Sequence, residues 1–436
     1  PITSDDLYAI KWVRDPQISP DGTKVLFELK EVTPEGELKG YNTHIWIFEN
    51  GKARQFTSGG KNDTSARWSP CGKEISFISD RDDKNQLYVL SLDGGEAQKL
   101  TSMKNGVNEY AWSPDGRKIA FCALLDSKAE KETDEGKEKV MPTSDVRVVN
   151  NIRYKANGKG FLPEGNSQIF VLDVDSREVT QITQGPYDCK EPAWSPDGLS
   201  IVFVSSRFED NELSSVRDLW TISSSGGPMQ KLTSSDAVLY FPSWSPDGEY
   251  IACYGHDNEY NGATVTCVCV IASQGGPLNF ITKPAEIGVG DSVSTDMASG
   301  SSPRPAWSPD GKKIFFSALD HGRCSLYTVG LETGEIRKLT HGDSSIYGWS
   351  KADDCDKFAL SVTSPEVVGD IWMLDLGSRA VRHENPVIGS LDGLGLFSRL
   401  TDFNKNFLES VCLSCPEEVE ILGRDGQKLQ AWIMKP

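Results

Sequence analysis

A five-residue unit, Trp-Ser-Pro-Asp-Gly, recurs along this 436-residue chain and contains two residue types that can do chemistry. Its serine could act as a nucleophile and its aspartate as a metal ligand. One role repeated in every unit is, however, typical of a repeat architecture. The same residues also close a turn, because Pro fixes φ, Asp bonds the backbone ahead of it and Gly accepts a positive φ. We therefore predict a structural role for the unit, which with its variants occupies residues 18–22, 68–72, 112–116, 194–198, 244–248, 307–311 and 349–353.

Nucleophilic catalysis by serine has a recognisable local sequence, and the chain lacks it. A nucleophile elbow requires Gly-x-Ser-x-Gly, and no segment of the sequence has this pattern. The five histidines, at 44, 256, 321, 341 and 383, have no partner Ser and Asp defined by a motif, and HExxH is absent. Cys412 and Cys415 form a CxxC without the second pair or spaced His of a zinc site. The sequence predicts no catalytic residue, no metal site and no cofactor.

One segment, residues 145–165, is basic in an otherwise acidic protein. It brings together in sequence Arg147, Arg153, Tyr154 and Lys155. Long ordered loops on a propeller often line its binding face, so these four residues are candidate substrate-binding residues, with a peptide carboxylate as the candidate ligand. The competing interpretation is a hairpin that only caps a blade. An eighth blade is a third interpretation, but the segment lacks its own turn unit.

The elements around each repeat are short β-strands. An apolar run such as KVLFEL, EISFIS or SIVFVS follows each glycine, a second run such as QLYVLSL comes next, and most modules close on Leu-Thr or Ile-Thr. Neighbouring units are 42 residues apart from Trp307 to Trp349 and 50 apart from Trp194 to Trp244. This period matches four-stranded blades. The sequence therefore predicts an all-β fold, a seven-bladed β-propeller.

The two ends of the chain differ from the repeats. Thr3 and Asp6 resemble a capping box, which predicts a short helical segment within residues 1–16. The propeller is predicted over residues 17–405, with insertions near 124–165 and 283–305. Residues 406–436 contain two β-prone runs around an Arg-Asp-Gly turn, and we interpret them as the start of another domain.

Composition excludes several classes of partner. The net charge of −18 repels nucleic acid and anionic lipid. No apolar run is long enough to cross a membrane, and the first residues have no signal-peptide pattern. We expect a cytoplasmic protein whose ten scattered cysteines are structural thiols.

Three segments together resemble the propeller half of the prolyl oligopeptidase clan of serine peptidases, in its acylaminoacyl-peptidase branch. They are DPQISPDG (15–22), NNIRYKANGKGF (150–161) and EVEILGRDGQKLQAWIMKP (418–436). The resemblance implies that an α/β-hydrolase domain with a Ser-His-Asp triad follows, that the propeller admits only short peptides, and that this chain alone is inactive. The alternative is a free-standing propeller of the TolB or WD40-like kind that binds a protein partner. The sequence leaves homo-oligomer formation open.

Overall fold

The computed structural model describes residues 2–33, 40–59, 61–125, 149, 151–157, 160–285, 287–291, 293, 303–377 and 396–435. Over these residues the chain forms the predicted seven-bladed β-propeller, with seven antiparallel sheets of four strands each. Six of the seven sheets are built from four strands that follow one another directly in the chain, and in the described residues the first and last blades share no strand.

The strands follow the chain blade by blade. Blades 1 and 2 contain β1 (Trp12–Ile18), β2 (Val25–Thr33), β3 (Gly40–Glu49), β4 (Lys52–Gln55), β5 (Asp63–Trp68), β6 (Glu74–Ser79), β7 (Gln86–Ser91) and β8 (Gln98–Lys99). Blade 3 contains β9 (Glu109–Trp112), β10 (Lys118–Leu125), β13 (Asn166–Asp173) and β14 (Val179–Gln181), and a separate hairpin, β11 (Lys155–Ala156) and β12 (Gly160–Phe161), interrupts it. Blades 4 and 5 contain β15 (Lys190–Trp194), β16 (Ser200–Ser205), β17 (Asp218–Ser223), β18 (Gln230–Lys231), β19 (Val238–Trp244), β20 (Tyr250–His256), β21 (Cys267–Ala272) and β22 (Asn279–Phe280). Blades 6 and 7 contain β23 (Ala306–Trp307), β24 (Lys313–Asp320), β25 (Arg323–Gly330), β26 (Ile336–Lys338), β27 (Ser345–Lys351), β28 (Lys357–Ser364), β29 (Val367–Asp375) and β30 (Leu396–Arg399).

Helical structure is short. Three-residue 3₁₀ helices span Asn211–Leu213, Asn261–Ala263 and Lys283–Ala285, and the predicted N-terminal helix is a 3₁₀ helix at Ser4–Tyr8. It has the expected capping box, in which the Thr3 N–H donates to Asp6 Oδ2 at 2.6 Å. Among the described residues a single α-helix, α1 (Lys405–Ser410), precedes a final hairpin of β31 (Glu417–Leu422) and β32 (Lys428–Ile433).

The chain divides into two compact units. Unit 1 comprises Pro1–Lys99, Val265–Val268 and Ile281–Pro436, and unit 2 comprises Leu100–Thr264 and Cys269–Phe280. In each unit the core lies between neighbouring blades, where the second and third strands bury their apolar side chains. Phe27, Phe77 and Phe203 each lie on the second strand of their blade and are among the fully buried side chains.

The repeated unit is the predicted turn, and it also joins blades. Ser195 Oγ donates to Asp197 Oδ1 at 2.5 Å, and Gly198 has a φ of 71°. The indole N–H of Trp194 donates to the Ala111 carbonyl of the preceding blade at 3.0 Å. Trp68 makes the equivalent bond to Gln17 at 2.9 Å in unit 1. The structure therefore confirms a structural role for these serines, aspartates and tryptophans.

The threonine that closes each module also has a repeated structural role, which the sequence pattern alone did not show. In six blades it is buried and accepts a hydrogen bond from a backbone N–H of the third strand, as Thr233 Oγ1 does from Leu219 at 3.1 Å. Thr401 Oγ1 accepts from Ile371 at 2.9 Å in the same way. Its hydroxyl donates in turn to the buried Asp370 at 2.8 Å. These bonds satisfy backbone groups at the end of each sheet.

Candidate functional site

The basic insertion contributes an exposed hairpin, β11–β12, to unit 2. Arg153, Tyr154 and Lys155 lie on its first half and are exposed, whereas Arg147 lies outside the described residues. The Tyr154 and Phe161 rings are 6.1 Å apart, and Lys155 Nζ lies 4.6 Å from the centre of the Phe161 ring. The structure thus places three of the four predicted residues together.

Two contacts fasten this hairpin to the loop between the second and third strands of blade 4. The Ile152 N–H donates to Glu212 Oε2 at 2.8 Å, and Arg153 Nη2 donates to the Ser214 carbonyl at 3.1 Å. The same loop reaches blade 5, where Ser215 Oγ lies 3.4 Å from Asn258 Oδ1. The described hairpin of blade 3 and the second-to-third-strand loops of blades 4 and 5 therefore form one connected surface of unit 2, which we call the loop surface.

Two cations of the loop surface, Arg153 and Lys155, are exposed. Among the described residues, neither Arg153 nor Lys155 forms an ion pair with a carboxylate. The contact of Arg153 with Ser214 uses one guanidinium nitrogen. A guanidinium and an ammonium group beside aromatic rings can bind a carboxylate through charge-assisted hydrogen bonds.

Apolar side chains also project from the loop surface. Leu213 is 71% exposed and Tyr260 is 66% exposed, on the two 3₁₀-helical loops, and Ile152 and Phe161 are exposed on the hairpin. Exposed apolar patches of this kind often mark binding surfaces. Sequence reasoning missed Leu213 and Tyr260, because single apolar residues in loops have no periodicity that would distinguish them.

The C-terminal hairpin is the second candidate site and belongs to unit 1. Its strands pair Glu418 with Trp432 and Ile421 with Leu429, so alternate residues face opposite sides. One face contacts the tip of blade 6, where Arg323 Nη2 lies 2.5 Å from Glu418 Oε2. The other face carries exposed Ile421, Leu429 and Ile433. A two-stranded hairpin with an uncovered apolar face is only marginally stable alone.

No arrangement of a serine triad occurs among the described residues. His44 Nδ1 lies 3.8 Å from Asp63 Oδ2, but this aspartate is buried and pairs with Arg81 at 2.8 Å. His321 Nδ1 lies 2.5 Å from Asp320 Oδ1 on an exposed turn. The Lys338 ammonium, followed by His321, lowers the pKa of Asp320 to about 2. Both aspartates therefore belong to structural ion pairs, and neither orients a histidine toward a serine.

The described residues also lack a metal-binding cluster and a membrane-spanning helix. In the part of the chain that the structure describes, no group of three or more His, Cys, Asp or Glu side chains could hold a metal ion. All ten cysteines are free thiols, and Cys267 and Cys269 are buried neighbours on β21, whereas Cys412 and Cys415 are exposed. No described helix is long and apolar enough to cross a bilayer.

Comparison with known proteins assigns the propeller to a family. Residues 11–147 and 161–283 match the family model of the TolB β-propeller domain. The chain belongs to this family. Along its whole length this TolB-type propeller is 32% identical to the uncharacterized peptidase YuxL of Bacillus subtilis, of which it spans 64%.

Solved structures resemble the TolB-type propeller in fold. Acylaminoacyl peptidase of Pyrococcus horikoshii superposes with a TM-score of 0.72 at 19% identity, over 98% of this chain and 58% of that protein. The β-propeller domain of the Trilobed protease of Pyrococcus furiosus superposes with a TM-score of 0.58 at 18% identity, over 90% of this chain and 99% of that domain. The propeller therefore spans less than two thirds of two peptidases it resembles.

Proposed function

We propose that this propeller is the substrate-gating portion of a serine exopeptidase of the acylaminoacyl-peptidase kind, which removes residues from the N-terminus of short peptides. The Ser-His-Asp triad belongs to an α/β-hydrolase domain that follows Pro436 in the full-length protein. The similarity to a peptidase over the whole chain supports this proposal, as does the fraction of that relative which the chain spans.

The C-terminal hairpin is the observation that carries the proposal. Its Glu418 face is held on blade 6, while its Ile421 face is apolar and exposed. Burying that face against further chain would remove apolar surface from water and stabilise the hairpin. A free-standing propeller has no use for such a hairpin, although the match to the TolB model is the observation that favours this alternative.

In this proposal the propeller selects which peptides enter, and the hydrolase domain hydrolyses the peptide bond. The repeated serines and aspartates are committed to turns, so attack on the peptide carbonyl comes from a serine of the other domain. Backbone N–H groups of that domain stabilise the oxyanion. The propeller restricts access sterically, so that short unfolded peptides enter and folded proteins do not.

The loop surface supplies the substrate contact in this proposal. Arg153 and Lys155 are exposed and have no carboxylate partner among the described residues, and we assign them, with Tyr154, to binding the free C-terminal carboxylate of a short peptide. Arg147 is included on its sequence position alone. A carboxylate held at a fixed distance from the triad would favour substrates of limited length.

A fluorophosphonate probe tests where the nucleophile lies. This chain should remain unlabelled and should not hydrolyse an acetyl-amino-acid anilide, whereas the full-length protein should be labelled once and should turn the anilide over. Labelling of a serine within residues 1–436, or an inert full-length protein, would contradict the proposal and favour the scaffold alternative.

The carboxylate assignment has its own test in the full-length enzyme. Arg153→Ala combined with Lys155→Ala should raise KM for short peptides with a free C-terminus by about tenfold to a hundredfold, since charge-assisted hydrogen bonds are lost. Peptides with an amidated C-terminus should be nearly unaffected. The matched control is Arg117→Ala with Lys190→Ala, two exposed cations of the same unit. Equal effects on both peptides would mean that the hairpin only caps its blade.

A further inference from the structure

The tip of blade 6 is a two-residue turn. Asp320 and Arg323 pair at the ends of β24 and β25, with His321 and Gly322 between them. Both turn residues have positive φ, 50° and 71°, as a type I′ turn requires. Lys338 Nζ donates to Asp320 Oδ2 at 2.7 Å and ties the turn to β26. The direction in which Arg323 leaves the tip is therefore determined by the blade.

Arg323 holds two carboxylates with one nitrogen. Its Nη2 lies 2.5 Å from Glu418 Oε2 on the C-terminal hairpin and 2.9 Å from Asp343 Oδ1 on the loop that leads to blade 7. Gln430 Nε2 donates to the other Glu418 oxygen at 2.7 Å, so the carboxylate is held on both sides. Asp343 and Glu418 thus share a single cation.

Gly322 provides the apolar half of the same contact. The Trp432 ring of the hairpin lies directly over this glycine, where an added Cβ would overlap the ring edge and lie 2.9 Å from Cζ2. A side chain at position 322 would therefore push the ring away. The positive φ of Gly322 separately disfavours substitution.

We propose that Gly322, Arg323, Glu418 and Trp432 form a reversible latch that sets the position of the C-terminal hairpin on blade 6. Reversibility follows from exposure, because the side chains of Arg323, Glu418 and Asp343 are 23%, 41% and 86% exposed. Exposed ion pairs contribute little free energy and are screened by salt. When the hairpin leaves, Arg323 keeps Asp343 as a partner, so no cation is left unpaired.

The latch has a consequence that rests on the proposed function. The hairpin lies between the propeller and the hydrolase domain of the full-length enzyme, so its position on blade 6 sets the gap between them. A closed latch would limit the size of the peptides that enter, and an open latch would relax that limit.

Hydrogen exchange on this chain tests the latch without any catalysis. Arg323→Ala should speed exchange of the β31 and β32 amides by about twofold to fivefold, the factor that corresponds to a lost surface ion pair. Asp343→Asn should slow it, because Glu418 then has Arg323 to itself. Gly322→Ala should speed exchange by displacing Trp432. Arg54→Ala, which removes a matched exposed pair with Glu49 in blade 1, should leave the hairpin unchanged.

Salt supplies an independent readout. Raising ionic strength should speed hairpin exchange more in the native chain than in Arg323→Ala, which keeps only the Lys428–Glu420 and Lys435–Glu417 pairs of the hairpin itself. Unchanged exchange in Arg323→Ala, or faster exchange in Asp343→Asn, would overturn the latch. In the full-length enzyme, Arg323→Ala should raise kcat/KM for long peptides relative to short ones. If exchange changes while this ratio does not, the link to substrate size is wrong. An enzyme without a labelled serine would instead contradict the proposed function and leave the exchange result standing.

Discussion

At the scale of single residues, the repeated turn works through one serine–aspartate bond. Ser195 Oγ donates to Asp197 Oδ1 at 2.5 Å and the Leu199 N–H donates at 3.0 Å, and these bonds hold the pKa of Asp197 below its usual value. Blade 2 has Cys71 at this position, 3.4 Å from Ser69 Oγ. Hydrogen bonds from Ser69 and from the Lys73 backbone lower the pKa of the Cys71 thiol in the same way.

Replacing this thiol by the aspartate that five other turns have at this position should stabilise the protein. Cys71→Asp should add about 0.5–1.5 kcal/mol to the free energy of unfolding at pH 7, the net value of a hydrogen bond. The turn lowers the folded pKa of such an aspartate, so the gain is present above the unfolded pKa of about 3.9. It is lost as pH falls through the folded pKa.

Urea unfolding at pH 7 and at pH 3 measures both parts of this prediction. Cys71→Ser is the control, because it adds no charge and should show no gain that disappears in acid. A gain of equal size at both pH values would mean that the carboxylate does not take part.

At the scale of elements, hydrogen bonds to the first strand of a blade join it to the preceding blade. β-bulges interrupt the pairing of β1, β5, β15 and β19. The bulged Ser65 and Phe241 have positive φ values of 55° and 52°. A carboxylate of the preceding blade accepts a hydrogen bond from each of these two backbone amides. Glu28 accepts from the Ser65 N–H at 2.6 Å, and Glu191 accepts from the Phe241 N–H. These carboxylates are committed to blade contacts.

The indole bonds between blades offer a matched pair of tests. Trp68 Nε1 donates to Gln17, whereas the buried Trp349 Nε1 has no acceptor among the described residues. Trp68→Phe should therefore lower the free energy of unfolding by about 1–2 kcal/mol more than Trp349→Phe, because only the first leaves a carbonyl unpaired. Denaturant unfolding of both variants measures the difference. Equal losses would show that the indoles act only by filling space.

At the scale of the whole molecule, the ends of the chain meet in unit 1 without sharing a strand. β1 packs beside β27, and Tyr347 donates its hydroxyl to the Val13 carbonyl at 2.6 Å. Buried Asn404 accepts from the Lys11 N–H at 2.9 Å and donates to the Lys11 carbonyl at 2.8 Å. The Asn404 side chain thus satisfies both backbone groups of Lys11, which lies 393 positions earlier in the chain, as a paired strand would do.

Removing this side chain should weaken the junction of the first and last blades. Asn404→Ala should lower the free energy of unfolding by about 2–4 kcal/mol, since two hydrogen bonds are lost and the backbone of Lys11 is left unpaired. Asn404→Asp also loses the donor, and its buried carboxylate would face the Lys11 carbonyl, so it should destabilise the junction as well. Denaturant unfolding measures both, with Asn211→Ala, whose amide bonds a loop carbonyl, as control. A loss in Asn404→Ala no larger than in that control would contradict the assignment.

The candidate site could be predicted in part. The sequence placed Arg153, Tyr154 and Lys155 near one another because they are consecutive, and the structure confirms that they share a hairpin. It did not predict that Arg153 bonds Ser214, or that Leu213 and Tyr260 lie on the same surface, because these residues are 50 or more positions away and carry no local pattern. The role of these residues in binding stays a prediction.

The seven blades and their turns were determined by the sequence itself, because each turn closes within five residues and each strand repeats a local apolar pattern. Only the tertiary structure decided which blades exchange indole, carboxylate and amide hydrogen bonds. It also decided that Arg323 meets Glu418, 95 residues later in the chain. Such contacts depend on how the twist of each sheet and the lengths of its loops bring distant backbone together, and no spacing within one repeat encodes that arrangement.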